Sequence, residues 1–290
     1  MNYFFLVAAM ASSALLSVMS SLFGRQNRDV MHTSSLYSLI VTAAATLSFG
    51  VLFLWNPSFD ARVLLYSLLY GIFYTVAMLG MFGAYRIGST SLTAFVKQLS
   101  LVAVAFWGLA FWDNPLSLSV TVGLILIIVA LFFCFAPSKG KKEEYTVSLK
   151  WLLFAAMLLV GNAGCSIVQK YQQIAFDGKH GNLLMLFGVF FSFLVCFVLF
   201  LFGKRPRLTE VKKISFLCPV FGGIGSALLN LFILLLMQST LSESVIFPGI
   251  AVGGLGLTVL FSFAVYRERQ RPIQWLGLAV GTVALVFLNL

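Results

Sequence analysis

Gly88-Ser-Thr-Ser-Leu-Thr-Ala-Phe-Val-Lys-Gln-Leu-Ser100 runs on as Leu-Val-Ala-Val-Ala-Phe-Trp-Gly-Leu-Ala-Phe-Trp112, an apolar stretch with one cation, Lys97, well inside it. About 20 apolar residues in an α-helix cross the hydrocarbon core of a bilayer, so the stretch reads as a membrane span. No other charged side chain lies so deep in an apolar run. At 100° per residue, Thr90, Thr93, Lys97 and Ser100 share an arc of roughly 80°, and Leu, Phe and Val occupy the other side. An ammonium at membrane depth costs about 2.5 kcal/mol or more, so it is expected to face a water-filled cavity or a partner. Snorkelling to the near interface and pairing with a backbone carbonyl are the alternatives.

The rest of the chain repeats this composition. Of 290 residues, 60% are hydrophobic and 10% charged, with a mean hydropathy of +1.00; soluble domains carry about 25% charged residues. Ten apolar runs of spanning length lie near 2–23, 33–55, 62–85, 89–112, 116–136, 149–171, 181–202, 214–238, 242–265 and 272–290. They are separated by short breaks such as Asn56-Pro57, Asp177-Gly178 and Arg271-Pro272. The expected class is an all-α integral membrane protein of ten transmembrane helices. A barrel is excluded, because its strands would alternate in polarity.

A basic connecting loop, 139–148, separates a first five-helix repeat, 1–138, from a second, 149–290. Val122–Phe133 aligns with Leu276–Phe287, matching Gly123 with Gly277, Leu124 with Leu278, Val129 with Val283, Ala130 with Ala284, Leu131 with Leu285 and Phe133 with Phe287. Five spans per half is an odd number, so the two repeats are expected to be inverted, as in many secondary transporters. All of the 19 Lys and Arg except Arg62, Lys97, Lys170 and Lys179 fall in or beside the loops after spans 1, 3, 5, 7 and 9. That bias puts those loops in the cytoplasm and both termini outside. The net charge of +10 then reports topology and anionic lipid headgroups rather than nucleic acid. The first run has no Lys or Arg ahead of it and reads as a retained helix, not a signal peptide.

Polar stripes mark other spans: Ser13, Ser17 and Ser20 on the first; Tyr70 and Tyr74 on the third; Asn162, Cys165, Ser166 and Gln169 on the sixth; Ser226 and Asn230 on the eighth. The expected substrate-binding residues are Lys97, Thr93, Tyr70, Tyr74, Asn162, Gln169 and Asn230. Packing within the bundle is the competing explanation for each hydroxyl and ring. Pro248, Gly249 and Gly253 on the ninth span make a helix able to bend and pack closely, a gating or packing role. No Asp or Glu lies mid-span, and His32 and His180 sit at loop edges. No acid–base pair, nucleophilic triad or metal cluster follows from such a set, so no enzyme and no cofactor is expected. The four cysteines lie in separate runs without CxxC spacing and read as packing residues.

Tyr266-Arg-Glu268-Arg-Gln-Arg-Pro-Ile-Gln-Trp-Leu-Gly277-Leu-Ala-Val-Gly281 and Pro248 give the chain a resemblance to the EamA-type ten-helix members of the drug/metabolite transporter superfamily. The resemblance covers the full length. It departs at Arg267, where the family usually has glycine, at Trp112-Asp113, where it has Gly-Glu, and at Lys97, where it has proline. It implies a carrier of amino acids, metabolites, sugars or drugs by alternating access, often coupled to a proton or ion. With no targeting segment read in the sequence, the expected location is the plasma (bacterial inner) membrane, and the expected state is monomer or homodimer. The family usually keeps both termini cytoplasmic, against the charge bias. Its small multidrug exporters use a glutamate in the first helix, absent here; a lysine in the fourth span resembles instead the branches that hold organic phosphates and nucleotide sugars. The expectation is a secondary transporter of a small polar solute, an amino acid, carboxylate, phosphate or sugar, with Lys97 binding an anion or gating. An exporter of neutral or amphipathic compounds, or a non-transporting subunit with sealed polar faces, are the alternatives.

Overall fold

The computed structural model describes residues 2–27, 30, 33–55, 57–112, 117–134, 148–203, 211–237, 243–267 and 272–287. Within them the chain is all-α: α1 Asn2–Gln26, α2 Thr33–Trp55, α3 Val63–Ile87, α4 Thr90–Gln98, α5 Ser100–Phe111, α6 Leu118–Cys134, α7 Leu149–Ala175, α8 Gly181–Phe202, α9 Leu217–Met237, α10 Glu243–Tyr266 and α11 Pro272–Phe287. Among the described residues, eight helical segments are long and apolar enough to cross a membrane, with α4 and α5 together forming one of them. The fifth and tenth expected spans appear as shorter apolar helices, α6 and α11. The protein is therefore a multi-pass, membrane-embedded helical protein. Nearly all of the connecting loop 139–148, together with Asp113 and Glu268, lies outside the described residues.

The fourth span is not the single helix its composition predicts. α4 stops at Gln98, and the Leu99 N–H is shared between Phe95 O at 3.2 Å and Val96 O at 3.0 Å. That is a one-residue tightening of the ladder, as at many helix ends. The Ser100 hydroxyl donates to Lys97 O at 2.8 Å, so Ser100 stabilises the joint instead of extending the polar stripe.

Two compact units draw on both halves of the chain. The first contains residues 1–18, 88–149 and 228–290, and the second contains 19–87 and 150–227. In the first unit, α4 packs on α10 and α6 packs on α11. A Cβ added at Gly281 would come 2.3 Å from the Phe95 ring and 3.4 Å from Ala130, so the apolar face of α4 closes on α11 because that position has no side chain. Leu6 and Ala9 of α1 meet Leu236 of α9 and Ile246 and Ile250 of α10 in a buried cluster.

In the second unit, α8 packs on both α2 and α3. Glycines again set the spacing. A Cβ at Gly71 would lie 2.6 Å from Gly188 O, one at Gly80 would lie 2.4 Å from Leu158 N, one at Gly161 would lie 2.4 Å from Ala77 N, and one at Gly223 would lie 2.5 Å from Val41 O. These backbones touch directly, the packing expected where lipid gives no hydrophobic drive for helices to associate. Thr75 and Ser192 pair at 2.8 Å between α3 and α8. Cys165, Cys196 and Cys218 are free and buried.

Candidate functional site

In the first unit, Lys97 occupies the last turn of α4 and is half-buried. Its Nζ donates to Ser17 Oγ at 3.3 Å, and Ser17 Oγ donates onward to Ser13 O at 3.1 Å. The position also suits a cation because the carbonyl end of a helix carries partial negative charge. Thr93, one turn earlier, is fully buried. Lys97 thus lies against the serine stripe of α1.

Ser13 marks where α1 crosses α10. A Cβ at Gly254 would lie 2.9 Å from Ser13 Oγ, and one at Gly253 would lie 2.4 Å from Met10 Sδ. Gly249 faces Leu6, whose Cδ1 would be 3.2 Å from an added Cβ. Gly249 and Gly253 thus form a groove for α1 along α10. Pro248 lies in α10 between them and its start. Asn230 is half-buried on α9 and engaged in bonding.

The remaining expected site residues belong to the second unit. Tyr70 and Tyr74 stack on α3, with ring centroids 5.9 Å apart and planes 19° apart, and both are buried. Tyr70 is wedged against Gly188, where an added Cβ would come 2.6 Å from its Cδ1. Tyr74 pairs with Ser226 through their hydroxyls at 2.9 Å. Asn162 and Gln169 lie two turns apart on α7, both half-buried, and neither amide has a hydrogen-bond partner among the described residues. Unpartnered amides inside an apolar span are costly in hydrocarbon and acceptable where water reaches them.

Sequence reasoning singled out Ser17 only as part of a stripe, not as the partner of Lys97. It missed Tyr37, fully buried on α2 and bonded to Ser20 at 2.6 Å. A tyrosine in an apolar run looks like any other packing ring until its hydroxyl partner is known.

No family model matches this chain. An uncharacterized protein of Haemophilus influenzae (strain ATCC 51907 / DSM 11121 / KW20 / Rd) is 26% identical over 196 residues, 65% of this chain. The match spans 62% of that relative's length. A solved protein crystal structure superposes with a TM-score of 0.60 at 10% identity, covering 95% of this chain and 96% of that one; the likeness is one of fold.

Proposed function

We propose that this chain is a secondary transporter of the drug/metabolite transporter type. It moves a small polar solute with a carboxylate or phosphate by alternating access, and Lys97 supplies the countercharge. The observation that carries the reading is the Lys97 ammonium in a membrane span with a neutral hydroxyl, Ser17, as its partner. Among the described residues this neutral partner leaves the positive charge uncompensated, and an anionic ligand would complete it. In the second unit, taken by itself, the half-buried amides of Asn162 and Gln169 are polar groups that suit a water-filled path.

Helix contacts support a ten-span arrangement in two inverted repeats. Spans at equivalent places in the two halves meet each other: α2 with α8, α4 with α10, and α6 with α11. Other contacts come in exchanged pairs. α3 meets α8 as α2 meets α9, and α3 meets α7 as α1 meets α9. A pseudo-two-fold exchange of halves generates this pattern. We take both termini to lie outside, as the charge bias favours, and the membrane to be a bacterial inner membrane. Because Lys97 bonds to Ser17 on another helix, a gating role is the second reading.

Thiol accessibility tests the proposal. Cysteines placed singly at positions 97, 162 and 169, in a background without the native cysteines, are expected to react with a membrane-impermeant thiol reagent. Complete protection at all three would mean sealed polar faces and no solute path.

A further inference from the structure

A second polar feature lies in the second unit at the span ends marked by Arg25 and Arg86. A cleft of about 220 Å³ opens there, lined by Ser34, Phe82, Gly83, Arg86, Ile87 and Phe154. Its polar wall is Arg86 with Ser34. The Arg86 guanidinium, always charged, donates through Nη2 to Val30 O at 2.8 Å, which fixes its position. Ser34 lies in the first turn of α2, where backbone N–H groups lack intrahelical partners. Thr33 beside it is fully buried, and its Oγ1 has no hydrogen-bond partner among the described residues.

The other wall is apolar and rigid. Phe82 is held in a ring cluster, 5.6 Å from Phe23 and 4.7 Å from Tyr37 between centroids. Phe154 reaches the cleft because Gly83 leaves room: a Cβ there would come 2.3 Å from its ring. α1 crosses α3 at the same corner, with a Cβ at Gly24 falling 3.2 Å from Arg86 Cα, and Arg25 is the next residue on α1. Among the described residues that line it there is no acid. α1 ends at Gln26, α2 starts at Thr33 and α3 ends at Ile87, so the cleft opens where three apolar spans finish, at headgroup depth.

We propose that this cleft binds a phosphate oxyanion carrying an apolar group, with Arg86 and Ser34 on the phosphate and Phe82, Ile87 and Phe154 on the apolar part. An anionic phospholipid and a soluble phosphate ester share that chemistry. The inference is independent of the transport reading, since it involves neither Lys97 nor the amides of α7.

Native mass spectrometry on the full chain tests it. Phosphatidylglycerol and phosphatidylcholine compete for the wild type, Arg86→Gln and Ser34→Asp, and phenyl phosphate is titrated in parallel. Ser34→Asp sets a repelling charge in the cleft without removing the guanidinium that donates to Val30 O, so it reports on binding if Arg86→Gln fails to fold. The expected result is a wild-type preference for phosphatidylglycerol that falls about tenfold in the variants, the worth of one charged hydrogen bond. Phenyl phosphate binding that is lost in the variants, without a lipid preference, upholds the site with a soluble ligand. A lipid preference unchanged in the variants overturns the proposal, as does a wild type that neither prefers phosphatidylglycerol nor binds phenyl phosphate.

Discussion

Lys97 Nζ and Ser17 Oγ lie 3.3 Å apart, an ammonium donating to a hydroxyl across two helices. A hydrogen bond to a charged group contributes about 1.5–3 kcal/mol. Ser17→Ala is therefore expected to lower the thermal stability of the ligand-free protein. A bound anion should then stabilise the variant by more than it stabilises the wild type, because Ser17 no longer competes for the ammonium. Differential scanning fluorimetry with and without anion reads both effects; identical melting in all four samples would show that the contact is idle.

Gly80 of α3 and Gly161 of α7 face backbone, not space. Gly80→Ala and Gly161→Ala each drive a methyl to within 2.4 Å of a main-chain nitrogen, and overpacking of this kind costs about 1–3 kcal/mol. Gly50→Ala meets nothing within 4 Å and is expected to hold or raise stability, since alanine favours helix by about 1 kcal/mol. Denaturant unfolding of the three variants in detergent checks the contrast.

Eight of the spans were legible because hydropathy and length alone define them, and Lys97 stood out because charge in an apolar run is rare. The break at Leu99 was not legible. Neither glycine nor proline occurs between Thr90 and Trp107, and the joint comes from a shared N–H and a serine hydroxyl. Tyr70 and Tyr74 were visible as a line on one helix face, but their burial against Gly188 and Ser226 depends on two other helices, α8 and α9. The Arg86 cleft likewise needs three segments brought together from residues 34, 82–87 and 154. A charge count assigns that arginine only to a loop edge.

Asn27 joins two distant stretches of chain. Its Nδ2 donates to Ser215 Oγ at 2.9 Å and to Phe23 O at 3.0 Å, and its Oδ1 accepts from Lys212 N at 3.1 Å. The residue is buried. Asn27→Ala orphans a backbone N–H and is expected to destabilise by about 1–3 kcal/mol, with faster hydrogen exchange at Lys212. Unchanged exchange at that amide would show that the clip is not formed.

In the loop between α2 and α3, hydrogen bonds from Arg62 hold the Asp60 carboxyl down to about 2. Arg62 also lies 5.4 Å over the Phe176 ring. A carboxyl whose folded value is depressed adds stability above its unfolded value of 3.8 and loses it as pH falls toward 2. The loop's attachment should therefore be constant from neutral pH down to about 4 and loosen below that. Asp60→Asn should remove this dependence. Hydrogen exchange across residues 57–62 at a series of pH values, in wild type and variant, measures it.

The central claim is that Lys97 holds an anion. The most direct measurement is the thermal stability of the purified protein against metabolites sorted by charge, run in parallel on wild type and Lys97→Gln. A ligand at 100 times its dissociation constant adds about 2.7 kcal/mol of stability, readily seen as a shift in melting. The account predicts stabilisation by one class of carboxylates or phosphates in the wild type, lost in a Lys97→Gln variant that melts normally without ligand. Equal stabilisation of both proteins, by anions or by neutral compounds, would contradict it.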